Sequence, residues 1–236
     1  MRQIILDTET TGIRVEEGHR IIEIGCLEMI NRRLTGNHFH YYLNPEREID
    51  AGAQAIHGIS HVFLKDKPLF SVIADELLAF ISGSELIIHN APFDLSFLDH
   101  ELALTRRNFK SITKYCQVVD TLQIARQLHI GQRNSLDALC KRYKVDNSKR
   151  DLHGALLDAH LLAQVYLAMT GGQGSFFDGY SDHPAQASDT EISFAPPIQK
   201  YNLVVLKASA EEKDEHKKYL DRLKQQGKCL WQEGEQ

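Results

Sequence analysis

Ile-Leu-Asp-Thr-Glu-Thr-Thr-Gly, residues 5–12, is the stretch that decides how this chain folds. It continues the apolar start of the sequence, and such a run predicts a central β-strand covered on both faces. Side chains two positions apart in a strand share a face, so Asp7 and Glu9 should face one spot at its carboxyl end. A divalent cation with oxygen ligands would relieve their repulsion. Alone, such a pair occurs often by chance and is more typical of a solvated strand end than of a metal site.

The segments after this strand predict an α/β fold. Two β-rich segments, 20–30 and 39–43, follow without a long helix between them, which predicts a three-stranded antiparallel meander. Short apolar runs then alternate with helical patterns, which predicts parallel strands and helices on both sides of one mixed sheet. The further strands are predicted at 85–89 and 118–120. Helices are predicted at 70–81, 91–105, 121–128 and 153–169, and another one, capped by Asn134-Ser135, runs through residue 143.

Composition divides the chain of 236 residues near Thr170. Residues 1–172 are predicted to form the folded domain, and a glycine-rich stretch then ends its last helix. The polar, proline-containing residues 173–202 predict a flexible linker. Residues 203–236 form a tail with a charged helical segment, and such a tail is too short for a hydrophobic core of its own.

The net charge of -5 bears on the class of partner. Proteins that bind long duplex DNA unaided are usually basic, so tight autonomous binding is not expected, although a grip on a few terminal nucleotides remains compatible with this charge. The four cysteines form no C-x-x-C pair, which argues against a zinc site. Without a signal-peptide pattern or a long apolar stretch, we expect a cytoplasmic protein with no membrane partner.

Two later motifs add carboxylates to the first pair. Asp94 follows a predicted strand and falls in the first turn of a helix, where a negative charge is favourable even without a ligand. Asp158 lies on an otherwise apolar helix and needs a partner, which a metal or an arginine would supply. His153 is five positions before Asp158, so the two converge only if His153 precedes the helix. Alone, His153 would also fit a helix cap or a surface position.

Together these motifs resemble the DEDDh family of 3′→5′ exonucleases. That family has D-x-E on its first strand, an aspartate after its fourth strand and H-x-x-x-x-D on a late helix. Residues 5–12, 133–140 and 152–159 are also similar to the epsilon (DnaQ-like) proofreading subunits of bacterial DNA polymerase III. The resemblance is close over residues 1–175. It implies a ribonuclease H-like sheet and release of nucleoside 5′-monophosphates from DNA 3′ ends.

The resemblance implies a site with two divalent metal ions, Mg²⁺ or Mn²⁺. Asp7 would bridge both ions, Glu9 and Asp158 would complete one site, and Asp94 would hold the second through water. His153 would be the general base, because the pKa of histidine lies near working pH. One ion would activate the attacking water and the other would stabilise the leaving 3′ oxygen.

The same resemblance suggests the residues that contact the terminal nucleotide. His57 matches a family histidine, although it would also fit an ordinary loop position. The family often has a glutamate where this chain has Gly52, which leaves the sugar contact open. Backbone groups of two threonines would also line the pocket. The predicted substrate-binding residues are Asp7, Glu9, Thr8, Thr10, His57 and Asp158.

The region after residue 172 suggests protein partners. Gln173, Phe176 and Phe177 resemble the short peptide with which bacterial replication proteins bind the sliding clamp, although Gly174 departs from the usual apolar residue. Trp231 would anchor the tail to the polymerase III alpha subunit. A small theta-like subunit is a further expected partner. Packing of the phenylalanines on the domain, and an incidental tryptophan, are the alternatives.

Two other functions compete with proofreading. A related DEDDh nuclease would act on RNA ends, but the linker and the tryptophan-containing tail argue against it. A non-catalytic subunit would only stabilise a polymerase, but it would not need the complete set of five residues, which are Asp7, Glu9, Asp94, His153 and Asp158.

Overall fold

The computed structural model describes residues 1–148, 150, 152–171 and 208–226. The chain divides into two compact units, Met1–Ser181 and Asp182–Gln236. The described part of the second unit holds one helix, α8 (Ala210–Gln226), as the sequence predicts. The linker 173–202, Gln173, Phe176, Phe177 and Trp231 lie outside the described residues.

Five strands of the first unit form one mixed sheet. In the order in which they pair, the strands are β3 (Arg33–Tyr42), β2 (Ile21–Ile30), β1 (Arg2–Thr10), β4 (Glu85–Ile88) and β5 (Gln117–Asp120). The pairs β1–β2 and β2–β3 are antiparallel, whereas β1–β4 and β4–β5 are parallel. The predicted α/β fold, with a meander followed by parallel strands, is therefore confirmed, and β1 occupies the centre of the sheet.

Helices cover both faces of this sheet. The helices of the first unit are α1 (Ala51–His57), α2 (His61–Leu64), α3 (Phe70–Ile81), α4 (Ala91–Leu104), α5 (Thr121–Leu128), α6 (Leu136–Tyr143) and α7 (Ala155–Thr170). Ile4 and Leu6 of β1 pack with α3 and α4, and Ile5 packs with α6 and α7. Because strand side chains alternate, Asp7 and Glu9 share the face of Ile5 and look toward α7.

Gly25 of β2 allows α7 to lie unusually close to the sheet. It pairs with Asp7 in the β1–β2 register. A Cβ at this position would lie 2.4 Å from the backbone nitrogen of Leu156 and 2.5 Å from the backbone carbon of Ala155. Only glycine permits this approach, which brings the first turn of α7 directly over the acidic end of β1.

The structure differs from the expected elements in two places. Strand β3 begins at Arg33 rather than at residue 39, because its first half is exposed and polar and gives no apolar pattern. Helices α1 and α2 have seven and four residues, too few for a helical period to show in the sequence. The expected cap at Ser135 is confirmed, since its hydroxyl accepts a hydrogen bond from the Ala138 N–H. Among the described helices, none has the length and apolarity that a membrane crossing requires.

Candidate active site

Four carboxylates from three elements line one cleft of about 800 Å³. Asp7 and Glu9 come from β1, Asp94 from the first turn of α4, and Asp158 from the first turn of α7. The sheet order places β1 beside β4, which α4 follows, so the ends of these elements meet. The structure thus brings together all four carboxylates that the sequence motifs singled out.

Burial makes this cluster costly to keep charged. Burial, followed by the charges of Asp94, Asp158 and Glu9, raises the pKa of Asp7 well above its ordinary value. Burial and the Asp158 charge raise the pKa of Glu9 to about 8. Burial raises the pKa of Asp94 to about 7. Such shifts favour protonation of part of the cluster, and a bound cation would favour its fully ionised form.

Thr8 fixes the carboxylate that lies on the other side of β1. Its hydroxyl donates a 2.7 Å hydrogen bond to Asp94 Oδ1. Thr8 alternates with Asp7 and Glu9 along the strand, so it faces α4, whose N-terminal turn also favours a negative charge. The side chain of Thr8 therefore orients Asp94, whereas the sequence had suggested only a role for backbone groups of Thr8.

His153 precedes α7, as the spacing to Asp158 requires. Its backbone N–H donates to the Ile56 carbonyl at 3.1 Å, which ties the segment to the end of α1. Its Nδ1 lies 3.6 Å from Asp158 Oδ2, and its side chain is 41% exposed. Burial, and then the nearby Arg150 charge, lowers the pKa of His153. A lowered pKa favours the neutral imidazole, which is the form that can accept a proton.

The donor set of the cleft fits a hard divalent cation. Donor atoms of Glu9, His153 and Asp158 all lie within 4.8 Å of one another. Carboxylate oxygens predominate around this point, and Mg²⁺ and Mn²⁺ prefer such oxygens. The four clustered carboxylates, of which Glu9, Asp94 and Asp158 are buried, also need positive charge, so the residues present suit a divalent metal ion.

Arg150 is the residue at this cleft that the motifs did not reveal. Its Nε and Nη2 donate to the two oxygens of Asp158 at 2.5 and 2.6 Å, and its Nη1 donates to Asp137 Oδ1 at 2.5 Å. The sequence predicted that a metal or an arginine would partner Asp158, but no spacing rule distinguishes this arginine from its neighbours. Asp137 lies within the stretch 133–140 that supports the family resemblance, but the sequence assigned it no role.

The remaining predicted substrate residues lie at the edge of the site or away from it. His57 is 5% exposed, and its Nδ1 accepts a hydrogen bond from the Ile59 N–H. Burial lowers its pKa, while the charges of Glu23 and His153 are close enough to act on it. The Thr10 hydroxyl donates to the Gly12 carbonyl, and neither Thr10 nor His57 lines the cleft. Exposed Gly52 has no atom within 4 Å of where a Cβ would lie.

Glu23 is a buried acid beside the site that the sequence did not single out. It pairs with Glu9 in the β1–β2 register and is 2% exposed. His40 Nε2 lies 2.8 Å from its Oε1. Among the described residues, its Oε2 and His57 Nε2 have no hydrogen-bond partner. Its charge also contributes to the raised pKa of Glu9.

Comparisons with known proteins agree with this geometry. The Exonuclease (RNase_T) family model matches residues 4–166. The DNA polymerase III subunit epsilon of Rickettsia prowazekii (strain Madrid E) is 52% identical over 223 residues, covering 94% of this chain and 97% of that protein. The subunit of the same name from Escherichia coli (strain K12) is 50% identical over 235 residues, covering 98% and 97%. The solved structure of Exonuclease X in complex with 5′ overhanging duplex DNA is 27% identical with a TM-score of 0.56, covering 73% of this chain and 93% of that one.

Proposed function

This chain belongs to the exonuclease family and, within it, to the DNA polymerase III epsilon subunits, and from that premise we propose how its cleft acts. It is a 3′→5′ exonuclease that depends on divalent metal and works with DNA polymerase III. The proposal concerns the roles of its residues, its substrate and its partners. The convergence of Asp7, Glu9, Asp94 and Asp158 beside His153 carries it.

The proposed metal ligands follow from the face that each carboxylate occupies. Asp7 lies centrally, where the charges of Asp94 and Asp158 both act on it, and it would be a metal ligand. Glu9 and Asp158 would complete one site, as the proximity of their oxygens supports. Asp94, oriented by Thr8, would hold the second through water. When bound, Mg²⁺ or Mn²⁺ supplies Lewis-acid activation of water and neutralises charge at the phosphate.

The chain's own groups position and move the proton. His153 would accept a proton from the attacking water at Nε2, the ring nitrogen that does not face Asp158. The peptide hydrogen bond to Ile56 holds the imidazole segment beside the cleft. The products would be a nucleoside 5′-monophosphate and a DNA strand shortened by one nucleotide. His57 is buried beside His153 and does not line the cleft, so its contact with the terminal nucleotide stays a prediction.

The substrate and partners follow from the relatives. The named relatives are subunits of DNA polymerase III, so we propose that this chain edits the 3′ end of DNA within that enzyme. The four carboxylates and His153 have no chemistry that reads a mismatched base. A mispaired end frays at lower cost, so selection would come from competition with the polymerase. The tail with Trp231 would bind the alpha subunit and residues 173–177 the sliding clamp. A small theta-like subunit would be a further partner.

Digestion of end-labelled oligonucleotides tests the substrate and the polarity. We expect 3′-labelled single-stranded DNA to lose its label at once as a mononucleotide, and 5′-labelled DNA to shorten stepwise, only when Mg²⁺ or Mn²⁺ is present. A matched RNA strand should be cut more slowly. Faster digestion of RNA would instead support a nuclease of RNA ends.

The variant Asp7→Ala tests the metal assignment. We expect it to abolish digestion of single-stranded DNA while it leaves the circular dichroism spectrum unchanged, because removal of one of the four acids relieves repulsion within the cluster. Near-normal activity in this variant would show that Asp7 does not hold metal.

A further inference from the structure

Arg150 is an ion-pairing residue of the cleft that has no role in the proposed reaction. Its side chain is 6% exposed and stands on the connection between α6 and α7. Through Nε and Nη2 it holds both oxygens of Asp158, and Nη1 reaches Asp137. A planar guanidinium that meets a carboxylate through two parallel hydrogen bonds forms one of the strongest polar contacts in proteins.

This contact uses the oxygens that the proposed metal site requires. One oxygen of Asp158 lies within 4.8 Å of donor atoms of Glu9 and His153. Arg150 donates its hydrogen bonds to this same carboxylate. Among the described residues, no other Lys or Arg lies within 4 Å of any of the four clustered carboxylates. A guanidinium and a divalent cation repel each other, so binding of either at Asp158 disfavours the other.

Arg150 also constrains the imidazole of His153. Its Nη2 lies 3.1 Å from Nδ1 of that ring. A guanidinium has only donors, so Nδ1 must accept, and the proton of the neutral ring must then be on Nε2. In this tautomer neither ring nitrogen has a free lone pair. The contacts by which Arg150 binds Asp158 therefore also leave His153 unable to accept a proton.

Asp137 gives Arg150 a second anchor. It lies on α6 and is 60% exposed, so it stands on the solvent side of the guanidinium. When the guanidinium leaves Asp158, it keeps this partner and does not become an unpaired buried charge. We propose that Arg150 is a positioning residue that competes with divalent metal for Asp158 and so sets the metal concentration at which the site loads. This inference rests on the proposed metal role of Glu9 and Asp158.

Calorimetric titration of the full chain with Mn²⁺ tests the competition without a turnover assay. We expect Arg150→Gln to bind Mn²⁺ about ten-fold more tightly than the unchanged chain, because Asp158 no longer has to release a guanidinium. The matched control is Arg126→Gln. Arg126 lines the same cleft but, in the described part of the chain, pairs with none of its carboxylates, so this variant should leave the Kd within two-fold.

Arg150→Lys separates the effect of the two parallel hydrogen bonds of the guanidinium from the effect of its positive charge. A lysine keeps the positive charge but cannot grip two oxygens at once, so we expect its Kd for Mn²⁺ to fall between those of the unchanged chain and Arg150→Gln. A Kd equal to that of the unchanged chain would show that only net charge matters and would overturn the inference. So would an equal tightening in Arg126→Gln.

Nitrogen NMR of the histidine rings provides a second measurement on the unchanged chain and requires no variant to fold. We expect the protonated nitrogen of His153 to be Nε2 in chelator and to change to Nδ1 on addition of Mg²⁺. An Nδ1–H tautomer in chelator would overturn the inference. If Asp158→Asn abolishes Mn²⁺ binding while Arg150→Gln leaves it unaltered, only the role of Arg150 fails. If the unchanged chain and Arg150→Gln both bind no Mn²⁺, the proposed metal site fails as well.

Discussion

Two arginine–carboxylate pairs of the described residues, each with a buried carboxylate, share one geometry and differ in their surroundings. Arg20 donates through Nε and Nη2 to the two oxygens of Glu101, both at 2.7 Å. Arg150 donates in the same way to Asp158, at 2.5 and 2.6 Å. The carboxylate is almost fully buried in each pair, with side-chain exposures of 1% and 4%.

The difference lies in what else claims the carboxylate. Glu101 Oε1 also accepts the backbone N–H of Ile21 at 3.1 Å, so this acid joins α4 to the start of β2. Asp158 instead faces Asp7 and Glu9, whose pKa values its charge raises. The same kind of ion pair thus connects two secondary-structure elements at Glu101 and belongs to the carboxylate cluster of the cleft at Asp158. The neighbours of a buried ion pair, rather than its own geometry, indicate what it does.

Neutralising the two acids should separate these roles most strongly. We expect Asp158→Asn to reduce digestion of single-stranded DNA by about 10⁴-fold or more, because a metal ligand is lost. We expect Glu101→Gln to keep activity but to lower the free energy of unfolding by about 3 kcal/mol, because Arg20 loses its charged partner. Exonuclease assays and urea unfolding measure the two effects.

The comparison fails if the effects coincide. Loss of activity in a folded Glu101→Gln would extend the functional site to α4. An active Asp158→Asn would make the second pair a structural joint like the first.

Much of this site was predictable because regular elements carry it. The periods of strands and helices place Asp7 and Glu9 on one face and Asp94 and Asp158 in first turns, and sheet order then brings the four acids together. Arg150 was not predictable, because it stands on an irregular connection where no period fixes the direction of a side chain. The role of Glu23 was not predictable either, because the residues that it faces, His40 and His57, are distant from it in sequence.

The elements of the fold likewise divide into those that the sequence predicted and those that it missed. The central strand and the long amphipathic helices were predicted with their boundaries nearly as observed, because burial imposes a pattern on them. The first half of β3 and the short helices α1 and α2 were missed, because their residues are mostly exposed and their structure depends on neighbours. Tertiary contacts specify these parts, and those contacts cannot be read from a single sequence.

The imidazole of His153, beside the Arg150–Asp158 pair, provides the next test. We expect His153→Ala to slow turnover by about 10²–10⁴-fold, the usual contribution of a general base. The matched control is His160→Ala on the exposed side of the same helix, which should leave turnover unchanged. The acid limb of the pH–rate profile should disappear in the first variant only. An identical profile in both variants would remove His153 from the role of base.

The depth at which α7 packs should matter for Asp158 and not for Glu101. In Gly25→Ala the new methyl would lie 2.4 Å from the Leu156 backbone nitrogen, so α7 must move outward. We expect a loss of about 1–3 kcal/mol in the free energy of unfolding and, because displaced ligands react poorly, about 10- to 100-fold lower activity. Urea unfolding and the exonuclease assay check this. Full activity in a destabilised Gly25→Ala would show that the site tolerates movement of α7.

The smallest effect concerns how stability depends on pH in a chelator. The pKa of Glu9 is about 8 in the folded chain and 4.5 when unperturbed, so between these values the folded state holds a proton that the unfolded state has released. Stability must then fall as pH rises from 5 to 8, and we expect the Tm to drop by several degrees. Glu9→Gln should flatten this slope, and saturating Mg²⁺ should reduce it by compensating the charge. A Tm that rises over this range in chelator would mean that Arg150 already neutralises the cluster. The Arg150–Asp158 pair would then need no further cation, as is the case for Arg20–Glu101.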